Sequence, residues 1–170
     1  YATALGTSSS AATIPVTLRQ ALKNGVSQPV AAFAVPLCAT IHLAGSMIKI
    51  TCFSLAVMML SGIEIQPGLM VAFIFMLGIM MVAAPGVPGG AIMTAVALLS
   101  SMLGFNEAQV GLMIATYIAI DSFGTATNVT GDGAIAAIVD KLVRRSKGQD
   151  ELAEESAGRA EVEAADALAG

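Results

Sequence analysis

Four polar residues carry the chemistry this sequence offers. Asp121, Thr125, Asn128 and Asp132 stand at offsets of 0, 4, 7 and 11, which fall on one face of a helix at about 100° per residue. Apolar residues, among them Ile118, Ile120, Ile135 and Ile138, surround them. An ionisable group in a membrane-spanning helix costs at least a few kcal/mol, so it faces a cavity or a partner. Carboxylate, amide and hydroxyl oxygens are the ligands of a hard monovalent cation, in company with freed backbone carbonyls. A carboxylate equally holds an ammonium. The stripe therefore predicts ion or substrate handling, with two roles open for two Asp residues. The structural alternative is that both carboxylates are neutral or paired with hidden cations.

Catalytic readings fit less well, and no enzyme activity or organic cofactor is expected. Gly131-Asp132-Gly133 invites comparison with intramembrane aspartyl chemistry, but that needs two facing carboxylates sharing a proton. Here both Asp residues lie on one helix, about 16 Å apart at 1.5 Å per residue. The tip Pro85–Gly90 lacks the Lys and Ser/Thr of a phosphate loop. His42 alone makes no metal site, and Cys38 and Cys52 have no CxxC spacing. Nucleic-acid binding has no basic face to rest on.

The elements that must position the stripe are those of a membrane protein. Apolar residues make up 56% of the 170 and charged residues 12%, with a mean hydropathy of +0.80. Soluble domains carry about a quarter charged residues. Between Val26 and Phe105 only Lys49 and Glu64 are charged, as in bilayer segments. The net charge of −4 is uneven. Residues 1–147 hold seven Lys/Arg and five Asp/Glu, a net +2, whereas residues 148–170 carry −6. That Ala- and Glu-rich acidic tail is expected to be disordered or weakly helical. The sequence has no signal peptide and opens mid-pattern at Tyr1, the expectation being that an N-terminal part precedes it.

Three apolar regions exceed the roughly 20 residues that a bilayer requires: about 27–61, 69–103 and 107–143. The first is interrupted at His42-Leu43-Ala44-Gly45-Ser46. The second breaks at Pro85-Gly86-Val87-Pro88-Gly89-Gly90, which cannot continue a helix. Its halves suit a re-entrant hairpin; two full spans are the alternative. Arg19/Lys23 and Lys141/Arg144/Arg145/Lys147 are both cytoplasmic by the positive-inside rule, so an even number of crossings separates them. Upstream, Thr7-Ser8-Ser9-Ser10 leads into a short helix, as in the second half of another hairpin. Irregular backbone at membrane depth survives only against protein or a water-filled cavity. The fold expected is thus an all-α membrane protein with two broken or polar-interrupted helices and re-entrant helical hairpins. Its parts are a first-hairpin end at 1–25, a broken helix at 26–62, a second hairpin at 68–104, a last helix at 107–145 and a cytoplasmic tail at 148–170.

These motifs, in this order over roughly Gly6 to Lys141, resemble the dicarboxylate/amino acid:cation symporters, the glutamate-transporter family. The serine tip before Ile14-Pro15-Val16-Thr17 is similar to the first hairpin. Pro36 to Ser46 is similar to the broken seventh helix, and Gly86-Val87-Pro88-Gly89 to the second hairpin's tip. Asn128-Val129-Thr130-Gly131-Asp132 is similar to the eighth-helix signature. The resemblance implies that Asp121 holds a substrate ammonium. Ser9 and Ser10, with second-hairpin backbone around Val87 and Gly89, would hold its carboxylate. Gly124, Thr125 and Asn128 would line the site. Asp132, with carbonyls of Cys38, His42 and Asn128, would hold one sodium ion. Carbonyls near Thr40 and at Met81, Val82 and Ala84 would hold another. It further implies a homotrimer in the cell membrane, contacting lipid and working by an elevator motion.

Two departures bear on specificity and coupling. Acidic-substrate members carry an Arg where this sequence has Gly124, and the first-hairpin Arg of some members is Ser8. A second substrate carboxylate would then lack a bidentate partner, so a neutral amino acid is expected. A dicarboxylate held by another group such as Lys49, or a sensor without turnover, is the alternative. The family's Asn-Met-Asp-Gly-Thr is here His42-Leu43-Ala44-Gly45-Ser46, which removes a sodium-binding Asp at Ala44. Lys49 could replace that cation or snorkel to an interface, and His42 could carry a proton instead.

Overall fold

A computed structural model describes the backbone of residues 1–169 and the side chains of residues 1–148. Eight helices follow one another: α1 (Ala2–Thr7), α2 (Ser10–Lys23), α3 (Gln28–Ile41), α4 (Ala44–Leu60), α5 (Pro67–Met81), α6 (Gly90–Leu103), α7 (Glu107–Ala119) and α8 (Asp121–Ala169). Among the described residues there is no strand, so the all-α class holds.

Local chemistry explains the boundaries. Ser9 caps α2, its hydroxyl accepting from the Ala12 amide at 3.2 Å. Pro67 begins α5 at a position where a missing N–H costs nothing. Asn106 and Gln109 form a reciprocal capping box on α7. Between α5 and α6 the Pro- and Gly-rich tip ends with Gly89 at φ 72°, a left-handed conformation that glycine adopts freely. The break expected at residues 42–46 lies at His42 and Leu43, between α3 and α4.

The last helix, expected at 107–145, divides at Ile120, and α7 and α8 meet at a 63° bend. The division makes Asp121 the first residue of α8, where a carboxylate complements unpaired helix amides. Beyond Gly148 the α8 backbone continues to Ala169 through the acidic stretch, whose Ala and Glu are good helix formers. The side chains of that stretch lie outside the described residues.

Packing divides around α8. Ile50, Met58, Phe73, Leu77, Ile92, Leu99, Met113 and Tyr117 centre one core, built by α4 to α7. Ala21, Val26, Ala31, Ala34, Val35 and Ala136 form a second among α2, α3 and α8. At the far end of this second core, Asp140 accepts hydrogen bonds from the Ser27 amide and hydroxyl and from Arg144 Nε, and Arg144 also donates to the Gly25 carbonyl. Phe33, Phe75, Met59, Leu60 and Val71 are exposed, an apolar exterior suited to lipid or further protein. Residues Gln28–Leu60 together are long and apolar enough to cross a membrane, and the bent α7–α8 pair passes the same test if counted as one span. α5 and α6, at 15 and 14 residues, reach only about 20–23 Å, short of the roughly 30 Å hydrocarbon core.

Candidate functional site

All four stripe residues are buried where α8 meets the break and the two tips: Asp121, Thr125, Asn128 and Asp132. A small, mainly polar cavity lies against them, lined by Ser8 and Ser10 of the serine tip, Pro85 to Val87 of the second tip, Leu43, Ser46, Ala91, Tyr117, Asp121, Thr125 and Asn128. The two tips touch directly. Ser9 Oγ donates to the Gly86 carbonyl at 3.0 Å, and the Ala11 amide donates to the same oxygen at 3.1 Å. Gly86 has to be glycine here, since a Cβ would collide with the Ala39 carbonyl of α3.

Asp121 has no free oxygen. Oδ1 accepts from Lys49 Nζ at 2.8 Å, and Oδ2 accepts from the Gly89 amide at 2.8 Å. Lys49 is 9% exposed, and its ammonium also sits 3.6 Å from the centre of the Tyr117 ring, a cation–π contact. Snorkelling is therefore excluded: the lysine turns inward. Tyr117 is anchored through its hydroxyl, which bonds Ser46 Oγ at 2.8 Å. Gly124 makes the lysine's path possible. A Cβ there would collide with Lys49 Cε and lie 2.6 Å from Nζ.

Three turns along, Asp132 Oδ1 pairs with His42 Nδ1 at 2.9 Å. The His42 ring packs on Gly131, where a Cβ would overlap it. Between the two pairs, Asn128 Oδ1 accepts from the Gly45 amide at 2.8 Å and Nδ2 donates to Ser46 Oγ at 3.3 Å. The amide thus bridges α8 to the first turn of α4. Of the two structural possibilities for buried carboxylates, each has a basic side chain from the broken helix beside it.

The remaining expected residues fall into place unevenly. Ser10, Val87, Asp121, Thr125 and Asn128 line the cavity, whereas Ser9 spends its hydroxyl on the α2 cap and on Gly86. Gly89 meets Asp121 through its amide. Cys38 is buried and its carbonyl accepts from the His42 amide at 2.8 Å. Thr40 turns its hydroxyl back to the Leu37 carbonyl, one residue beyond the Ala39 carbonyl that faces Gly86. Met81, Val82 and Ala84 lead into the same tip, with Met81 and Ala84 buried and Val82 exposed. Sequence reasoning missed Tyr117 and Ser46. Tyr117 lies four residues before Asp121, a helical spacing that could have flagged it.

The pattern of the sodium:dicarboxylate symporter family matches residues 1–142. The chain belongs to that family. Mouse excitatory amino acid transporter 3 is 34% identical over 154 residues, covering 90% of this chain and 29% of the relative. A serine/threonine transporter SstT from Acinetobacter baumannii (strain SDF) is 35% identical over 149 residues, covering 85% of this chain and 37% of the relative. Human excitatory amino acid transporter 1 is 33% identical over 143 residues, with 84% and 26% covered. The chain thus spans between about a quarter and two-fifths of the length of these relatives. Family membership makes it part of a membrane protein and names sodium as the coupling ion of its class.

Proposed function

We propose that this chain forms the solute- and cation-handling part of a sodium-coupled symporter for a neutral amino acid. The observation that carries the proposal is a polar cavity lined by two touching loop tips, with a buried carboxylate, Asp121, at its wall. Asp121 receives the substrate ammonium. Ser10 and amides of the Pro85–Gly90 tip receive its carboxylate. Asp132, with carbonyls of Cys38, His42 and Asn128, receives one sodium ion, and carbonyls at Thr40, Met81, Val82 and Ala84 receive a second. α5 and α6 form a re-entrant hairpin, consistent with their length. The tips act as gates, and this part moves as an elevator within a trimer in the cell membrane, its C-terminus cytoplasmic.

A neutral side chain is favoured by the charges at the site. Gly124 offers no guanidinium, the planar fork that would hold a second carboxylate with two hydrogen bonds. An acidic side chain would enter as a buried charge without that bidentate partner. One relative's name, serine/threonine transporter, fits that preference, while the excitatory amino acid transporters show the family's other branch.

Uptake by the complete polypeptide in proteoliposomes tests this. With a sodium gradient, labelled serine or alanine should accumulate, and unlabelled aspartate should compete poorly. Aspartate outcompeting serine and alanine would overturn the substrate class. Accumulation driven by a proton gradient without sodium would move coupling to the His42–Asp132 pair. No uptake of any carboxylated solute would leave a binding or sensing protein.

A further inference from the structure

A symporter must recross the membrane without its cargo, and in this chain that step leaves Asp121 in an apolar interior. A carboxylate there, stripped of the ammonium it is built to hold, carries a penalty of several kcal/mol. The Lys49–Asp121 ion pair removes it. Lys49 Nζ lies 2.8 Å from Asp121 Oδ1, in the position an incoming ammonium would take, and the pair is buried on both sides. Gly89 of the second tip closes on the other carboxylate oxygen.

We propose that Lys49 is a tethered substitute for the substrate's ammonium. It occupies Asp121 while the carrier is empty, keeping the closed cavity neutral for the return. Substrate loading displaces it. The displaced ammonium has a second seat already in contact, the face of Tyr117, whose ring is fixed by its hydroxyl bond to Ser46. A cation–π seat retains part of the electrostatic stabilisation in a site shielded from water. Gly124 is the clearance that lets the lysine lie between Asp121 and Tyr117: any Cβ there meets Cε and Nζ. The exchange is one ammonium for another, with no proton transferred and no covalent change. This inference rests on the amino-acid symport proposed above.

Lys49 and the substrate compete for one carboxylate, so the apparent affinity is reduced by the fraction of time Asp121 is engaged. The complete polypeptide carrying Lys49→Met should bind its amino acid about tenfold more tightly or better. It should also lose net uptake, which needs the empty return. Exchange of internal for external amino acid, in which the carrier crosses loaded both ways, should continue. Lys49→Arg, which keeps a cation at the site, should restore most of the net uptake. Binding weakened by Lys49→Met would make the lysine a substrate ligand and overturn the proposal, as would net uptake and exchange falling together. Unchanged net uptake would do the same. A wild-type protein without uptake or exchange of amino acids would instead fail the symport reading on which the inference stands.

Discussion

The two ends of the α8 stripe solve one problem in different ways. Asp121 and Asp132 are eleven residues apart, both buried, and each meets a basic side chain contributed by the broken α3–α4 helix. At Asp121 the partner is a lysine 9% exposed, seated on an aromatic ring and capped by the amide of a loop tip. At Asp132 the partner is a histidine whose side chain is 25% exposed and whose ring rests on a glycine. The first pair is sealed, both partners being buried. The second is open at its rim, and its charge depends on whether the imidazole holds a proton. In the proposed symport, the first end would hold a charge throughout a cycle and the second would admit small cations.

The sharpest way to break the comparison is Asp121→Asn. It strands a buried ammonium, a change that costs about 3–5 kcal/mol, and it removes the seat for a substrate amine. A large drop in Tm together with loss of amino-acid binding by calorimetry is expected; a Tm near wild type would show that the Asp121 end is not sealed. Gly124→Ala should come next. The added methyl displaces the lysine's end, for an overpacking cost of about 1–2 kcal/mol, read as an intermediate fall in Tm. His42→Ala should have the smallest effect in sodium buffer, about 1 kcal/mol. Sodium at its proposed seat beside Asp132 would stabilise the folded state by mass action. The same variant in choline buffer should lose more. Equal losses in the two buffers would erase the distinction between the ends.

Much of this arrangement is legible in the sequence because it depends on local rules. The spacing of Asp121, Thr125, Asn128 and Asp132 alone puts them on one face. The two prolines and three glycines of Pro85 to Gly90 cannot continue a helix, and α6 starts only at Gly90. What could not be read depends on tertiary contact. A lone Lys49 in an apolar helix is compatible with snorkelling and with an inward pair, and only the neighbour across the interface decides. Gly124 read as a lost arginine; its other role, clearance for a lysine from α4, appears only when the two helices meet. The bend at Ile120 has no proline or glycine to announce it. Tyr117, inside a run of Ile, Ala and Met, looks like ordinary core until its ring is found under an ammonium. Ser9, expected at the substrate, is occupied by backbone on both sides.

The Lys49–Asp121 pair also sets a schedule for making the protein. Its members are 72 residues apart, and at about 5–20 residues per second the ribosome takes about 4–14 s to travel from one to the other. During that interval α4 contains a charge whose insertion at a helix centre is opposed by about 2.5–3.5 kcal/mol. Until α8 arrives there is no carboxylate to pair with the lysine, so the Lys49–Asp121 ion pair is a late step of assembly.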